Sequence, residues 1–416
     1  MTPQLFVDGL SWTTKSGFVY PNEFIYWSIQ IVLYPYMTGL VAGAFVLSSL
    51  YHVFGQKDLR TIARFSLVFS LALLPVAMMP LLFHLQQPFR GIEVMFTPHF
   101  TSAIAAFGIV FSTYAIIVLT EIWFVYRQYF VEQAIARKGK PGFGNGVMRI
   151  IYNILTLGAY NLDSGAIAID KKAVKIMAAI GIPVACFLHG YAGFIFGSVK
   201  ANALWMSPLM PVIFIVSAVV SGIALCMLTY IIIMEWKKFR ATMARGRGDE
   251  TIKQLGGVEM DVMIKTKRYL LAFLIAAISL EFLDMIFRGY TAMKSWDILR
   301  AIMFQEDFIK IFVMQYFFGN FIPLVLLLLP RPTIKRLIIS LSLILFGVFM
   351  MRWNVVIGGQ AFSLSFNGFM HYHMPFWPTS LETYKEGFFG AITVGITPFV
   401  LFWLLNKVVP AIEEKN

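Results

Sequence analysis

Of 416 residues, 58% are apolar and only 13% charged, and the mean hydropathy is +0.73; soluble domains carry about 25% charged residues. This balance excludes a disordered chain, a fibrous repeat and a water-soluble globule. The net charge of +12 would suit nucleic acid, but in so apolar a chain it marks the cytoplasmic loops of a membrane protein, and no nucleic-acid partner is expected.

Residues 1–23 have neither a basic n-region nor a short apolar h-region, so they read as an external N-terminal segment and not as a cleavable signal. A helix crosses the hydrocarbon core with about 20 apolar residues. Nine segments meet that need: 24–51, 62–85, 99–126, 173–197, 208–235, 269–290, 308–329, 334–357 and 387–408. The run 146–169 is interrupted by Arg149, Asn153, Asn161 and Asp163 and reads as an interfacial helix; if it spans, the count is ten. The expected fold is all-α and polytopic: two four-helix bundles, at 24–200 and 201–360, then an external segment and a final span within 361–416.

Lysine and arginine cluster in four loops. Lys57 and Arg60 follow the first span, and the 127–172 loop carries Arg137, Lys138, Lys140, Arg149 and Lys171. The 237–268 loop is more basic still, and Arg331, Lys335 and Arg336 surround the turn after the seventh span. With nine alternating spans all four lie on one side, which the positive-inside rule makes cytoplasmic. The N-terminus is then outside and the C-terminus inside, in a multi-pass cell-membrane protein in contact with lipid. A tenth span would break the agreement. Small residues four apart, Gly39 and Gly43, Gly193 and Gly197, Ser217 and Ser221, predict close helix packing.

Polar groups inside spans carry the functional expectation, because burying them in lipid is costly. In the first bundle His84, His99, His189, Tyr191, Tyr26, Gln30 and Tyr34 fall in the outer half. Any one histidine at a helix end serves well as an interfacial anchor; three at one depth, among aromatic residues, suit the two carbonyls of a quinone and the protons of its quinol. In the second bundle Glu281, Asp284 and Arg288 share one helix face, with Arg352 at similar depth on the eighth span. They form either a structural ion pair or a buried proton relay. On the inner side Glu235, beside Lys237, reads as a headgroup-level residue, and Glu121, about one and a half turns inside Arg127, as a candidate cytoplasmic proton inlet.

Metal chemistry has few candidate ligands. Cys186 and Cys226 are two thiols where an iron–sulphur cluster uses four, and no CxxCH is present for attached haem. His52 lies at the inner end and the other histidines outward, which leaves no second layer for a di-haem pair, and His371-x-His373 is a short loop pair without further ligands. No haem or iron–sulphur cluster is expected in this chain.

Several motifs occur together: Tyr36-x-x-Gly39-Leu-x-Ala42-Gly43-Ala44-Phe45, His189-Gly-Tyr-Ala-Gly193, Trp205-x-Ser207-Pro208-x-x-Pro211-x-x-Phe214-x-x-Ser217-x-x-x-Ser221-Gly222, and Arg352-x-Asn354-x-x-x-Gly358-Gly359-Gln360. In this order they resemble the NrfD/polysulfide-reductase membrane subunits over most of 24–360. The resemblance implies a menaquinone or menaquinol pocket near the outer face of the first bundle. It also implies electron exchange with a ferredoxin-like iron–sulphur subunit docked outside. The family's pocket tyrosine falls on Tyr191, and its polar residues on the first helix fall near Tyr26 and Gln30, where this sequence lacks the family's Asn/His pair. Within the family the motifs are most similar to DsrP-type subunits, which implies cytochrome and Hdr-like partners of the DsrMKJOP complex and a link to sulfite and sulfur metabolism. The rival expectation is a proton-coupled transporter or ion-translocating subunit that uses Glu281 and Asp284 as its carrier site.

Overall fold

The computed structural model describes residues 25–99, 101–102, 104–200, 202–245, 257–290, 296–363 and 368–412. The expected external segment 1–23 lies outside the described residues, as do Arg247 and Lys253 of the basic loop.

The chain folds as an all-α polytopic membrane protein. The main helices are α1 (Ile29–His52), α2 (Arg60–Val76), α3 (Met79–His84), α4 (Ala105–Ala136), α5 (Phe143–Leu155), α6 (Ser164–Gly197), α7 (Met210–Arg245) and α8 (Met260–Tyr290). After them come α9 (Ile309–Leu328), α10 (Ile334–Val356), α11 (Leu381–Glu386) and α12 (Phe388–Leu405). With α2 and α3 taken as one broken span, nine of the described helical segments are long and apolar enough to cross a membrane. The start of α1 and the end of α3 define the histidine face. The opposite face, with Lys57, Lys171 and Lys265, is the basic face.

Side chains set the helix starts. Ser28, Asp163 and Thr333 cap α1, α6 and α10 by accepting from the backbone amides of Gln30, Ala166 and Arg336, which satisfies donors that a first turn leaves open. Ser380 and Thr383 form a reciprocal capping box on α11. In α9, Ile309–Phe321 winds as a π-helix; such wide turns recur at functional sites.

The tightest interface joins the two halves of the chain. α1 packs along α7 as well as α2 and α6, and α10 packs against α9, α7 and α1. Gly43 and Gly222 make the α1–α7 approach possible: a Cβ on Gly222 would overlap the Gly43 backbone, and one on Gly43 the carbonyl of Ala218. Gly319 and Gly347 do the same for α9 and α10. Without a hydrophobic drive between helices in lipid, such close backbone contact supplies the attraction. The last span, α12, lies against α2, so it joins the first group of helices.

Two boundaries differ from expectation. The interfacial helix expected over 146–169 is broken: α5 ends at Leu155, Leu157 and Gly158 turn with positive φ of 49° and 79°, and after a short connection α6 begins at Ser164. α5 exposes Phe143, Ile150 and Ile154 but buries Tyr152, an amphipathic pattern suited to an interface. The basic loops are also shorter than expected, because α4, α6, α7 and α8 run beyond bilayer length. Arg127, read as a loop residue, is buried in α4. Its guanidinium holds Asp170 of α6 at 2.7 Å and donates to the carbonyls of Ala159 and Asn161.

Candidate functional site

The first polar cluster sits at the histidine face. The Ser28 hydroxyl, besides capping α1, donates to Glu386 at the end of α11. Glu386 also meets the His84 Nδ1 at 3.1 Å, and both side chains are 25% exposed. Tyr372 accepts from the amide of Ile29 at 3.1 Å, and Gln360 accepts from the amide of Trp27 at 3.2 Å. The segment after α10 thus folds over the start of α1. Burial raises the Tyr372 phenol above its usual range, so it stays a neutral hydroxyl at physiological pH.

Below this mouth, α1 carries a polar stripe at helical spacing: Gln30, Tyr34 and Thr38, all buried. Gln30 donates its amide to the carbonyl of Lys385 at 2.5 Å, and its Oε1 has no partner among the described residues. The Tyr34 hydroxyl has none among them either; its ring meets Phe107 edge-on at 5.2 Å. A buried polar atom without a hydrogen bond costs about 1–3 kcal/mol, and most native structures avoid it. Two of them on successive turns of one helix mark a place where a ligand can supply the missing bonds.

The stripe ends at the centre of the molecule. Arg352 of α10 is 1% exposed. It donates to His189 Nε2 at 3.0 Å and to Ser217 at 2.7 Å, with its guanidinium 3.7 Å over the Phe214 ring. A guanidinium only donates, so Nε2 of His189 accepts and the ring proton sits on Nδ1, 3.4 Å from the Thr38 hydroxyl. His189 therefore joins α1 and α6 to α7 and α10.

A third cluster lies between α8, α9 and α10. Glu281 accepts from Gln315 at 2.9 Å, and Gln315 accepts from Asn354 at 2.8 Å. One turn on, Asp284 pairs with Arg288 at 2.9 Å and accepts from Ser207. Arg288 also donates to the carbonyls of Ala203 and Leu204 at 3.0 Å. A cavity of about 110 Å³ opens between them, walled mainly by Leu, Ile and Met.

The sequence-predicted residues thus divide. Gln30, Tyr34 and His84 gather near the mouth, and Tyr191 lies within electrostatic reach of Tyr34. Tyr26 and His99 do not join them: Tyr26 is 59% exposed, and His99 is exposed on the loop before α4, where it meets Thr101 at 2.7 Å. The three histidines do not share one depth. His84 is level with Ser28 and His189 with Thr38, a rise of about 15 Å along α1 at about 1.5 Å per residue. Glu281, Asp284 and Arg352 do not bond to one another. Asp284 takes Arg288, and Arg352 takes His189. Glu121, fully buried on α4, has both carboxylate oxygens without a partner among the described residues.

Sequence reasoning missed Ser28, Thr38 and Glu386, and read Ser217 only as a packing residue. Serine and threonine in an apolar span carry little signal, and Glu386 stands in a polar segment where one carboxylate attracts no notice. Among the described residues no group of three or more His, Cys, Asp or Glu is placed to hold a metal ion.

Comparison with known proteins bears on the chain as a whole. It is 31% identical over 251 residues to a selenate reductase subunit of Mesobacillus selenatarsenatis, which covers 57% of this chain and 55% of that protein. It is 26% identical over 217 residues to a putative dimethyl sulfoxide reductase membrane subunit of Halobacterium salinarum, with 52% and 45% covered. It is 22% identical over 210 residues to protein NrfD of Escherichia coli, with 50% and 60% covered. The matches span about half the length of these relatives. The family model described as "Polysulphide reductase, NrfD" matches residues 20–364, most of the chain, and the chain belongs to that family.

Proposed function

We propose that the chain is the quinol-binding membrane subunit of a respiratory reductase complex, and that a menaquinone head sits against Gln30 and Tyr34 of α1. The observation that carries this reading is the pair of unpartnered buried polar atoms, Gln30 Oε1 and the Tyr34 hydroxyl. One accepts from a quinol hydroxyl and the other donates to a quinone carbonyl. Their residues stand one helical turn apart on one face of α1, as two partners of a single ring-sized ligand require. Phe107 beside Tyr34 supplies an aromatic wall, with Tyr191 of α6 nearby.

A bound menaquinol supplies two electrons and two protons. His84 and Glu386 stand at the mouth as acceptors that release a proton to the histidine face. The electrons pass to an iron–sulphur subunit docked on that face. The names of the relatives, a selenate reductase and a dimethyl sulfoxide reductase subunit, agree with a reductase assembly. The motif order favours a DsrP-type member with cytochrome and Hdr-like partners in sulfur metabolism. The lysine and arginine distribution supports a cytoplasmic basic face and an outer histidine face.

A proton route accompanies this reading. Tyr34, Thr38, His189 and Arg352 lead inward from the mouth, and Glu281, Gln315 and Asn354 continue beyond Arg352. Glu281, without a salt-bridge partner among the described residues, is the proton-carrying carboxyl; Asp284, tied to Arg288 and Ser207, is structural. Glu121 is the inlet on the basic side. The test is quinol-dependent electron transfer in the purified complex with Tyr34→Phe or Gln30→Leu. Each variant removes one proposed bond and should lower kcat/KM about tenfold, for a hydrogen bond of about 1–1.5 kcal/mol. Wild-type quinol kinetics in both assembled variants would remove the α1 site.

A further inference from the structure

The quinol reading assigns no ligand to the cavity of about 110 Å³ between α8, α9 and α10. Its shape follows from the packing. In α9, α8 meets the last turns, Ile322–Leu328, more closely than the π-helix before them, so the C-terminal half of α8 stands away from that π-helix. Glu281 and Gln315 bridge the gap at 2.9 Å. Glu281, Met285 and Tyr316 line the cavity and are half-buried, and Phe282, Ile286 and Phe317 beside them are exposed. The cavity therefore opens between α8 and α9 towards the hydrocarbon of the bilayer, with a carboxyl at the opening. An ionisable group placed there is costly and marks a site.

The inner end is polar and directional. Glu281 accepts from the amide of Gln315, which turns the Gln315 oxygen to Asn354. Asn354 donates its own amide to that oxygen at 2.8 Å and to the carbonyl of Lys310 at 3.2 Å. Its Oδ1 is then an acceptor and has no partner among the described residues, in a residue 5% exposed. A buried acceptor left open is rare in native structures and calls for a ligand with an O–H donor. The rest of the wall is apolar, with Met210, Met285, Met303 and Met351 among leucine and isoleucine side chains. Thioethers adapt to irregular shapes and make favourable contacts with aromatic rings. An apolar pocket with a few convergent polar groups is the usual form of a small-molecule site.

We propose that this cavity binds the head of a membrane-dissolved, single-ring phenol or hydroquinone. Its hydroxyl donates to Asn354 Oδ1, and its ring lies among the methionines. An apolar cavity of about 150 Å³ holds one benzene ring, so the present volume, open on the lipid side, suits one ring. The two fused rings of menaquinone exceed it, which keeps this site apart from the one on α1. A phenol lodged here stands beside Glu281 and hinders its proton exchange. That consequence rests on the proton route proposed above; the binding itself does not.

The test uses the intact purified complex and a photoreactive phenol, trifluoromethyldiazirinyl-phenol, with labelled peptides read by mass spectrometry. Label is expected in peptides around Met285 and Tyr316. p-Propylphenol should compete with it at least about tenfold better than propylbenzene, which lacks the donor; this is the factor for one hydrogen bond. Met285→Trp, which fills the opening, should remove the label, Met285→Leu should keep it, and Tyr34→Phe on α1 should leave it unchanged. No competable label on α8 and α9 in a complex that oxidises quinol, equal competition by propylbenzene, or full label in Met285→Trp overturns the proposal. Competition by menaquinone at these peptides overturns it too, because the site then accepts the larger ring system. Quinol oxidation by the same samples keeps these outcomes separate from failure of the α1 site.

Discussion

Replacing Arg288 by Met tests whether Asp284 of α8 is half of a structural ion pair. In the native protein Asp284 and Arg288 are 12% and 8% exposed and 2.9 Å apart, and Arg288 also holds the carbonyls of Ala203 and Leu204. Removing the arginine leaves Asp284 buried with only the Ser207 hydroxyl, and an uncompensated buried charge costs about 3–5 kcal/mol. The two freed carbonyls add to that loss. Removing both charges, as Asp284→Leu/Arg288→Met, should recover most of it, because well-packed apolar residues often replace a buried pair without net cost. The assay is SDS titration of the purified complex, followed by Trp fluorescence, for the wild type, both single variants and the double. The expected pattern is a large loss for Arg288→Met and a much smaller one for the double. A loss below about 1 kcal/mol for Arg288→Met, the range of an exposed ion pair, would refute the structural role of this pair.

Other outcomes follow from the same geometry. Gly222→Val should abolish the folded, extractable protein, because its Cβ meets the Gly43 backbone and helix backbones yield less than side chains, whose overpacking alone costs about 1–3 kcal/mol; folded yield after detergent extraction measures this. Glu281→Gln keeps a hydrogen-bonding partner for Gln315 but carries no proton. Assembly should survive, while vesicles with a trapped pH dye lose the pH change coupled to quinol turnover. With Cys186 and Cys226 replaced, a cysteine at Thr379 should react with an impermeant thiol reagent added outside cells and one at Thr242 should not; the reverse pattern would invert the orientation.

The fold was legible because apolar length and charge asymmetry are properties of the sequence itself. Nine segments stood out, and their placement needed no tertiary information. Helix ends were less legible: α4 and α6 run past the bilayer because Arg127 and Asp170 satisfy each other inside the molecule, which no local pattern announces. The candidate site was legible in residue type and not in partnership. Gln30 and Tyr34 could be singled out as buried polar residues of the first span, but their lack of partners is a three-dimensional fact. Equal depth for His84 and His189 was inferred from span boundaries. It failed because His84 ends the short helix α3 at the mouth while His189 sits within α6, just over two turns from its end at Gly197. The i, i+4 spacing of Asp284 and Arg288 did announce their pairing; the long-range expectation of Arg352 as partner did not hold, because Arg352 turns its Nη2 to His189 and Ser217 instead.

Photoaffinity labelling of the intact complex with an azido-menaquinone locates the quinone without recourse to kinetics. Label should appear in peptides from α1 and α6, around Gln30–Tyr34 and Tyr191, and unmodified menaquinone should compete it away. Competable label confined to peptides from α8 and α9, around Glu281 and Tyr316, would put the quinone in the second group of helices and contradict the α1 site.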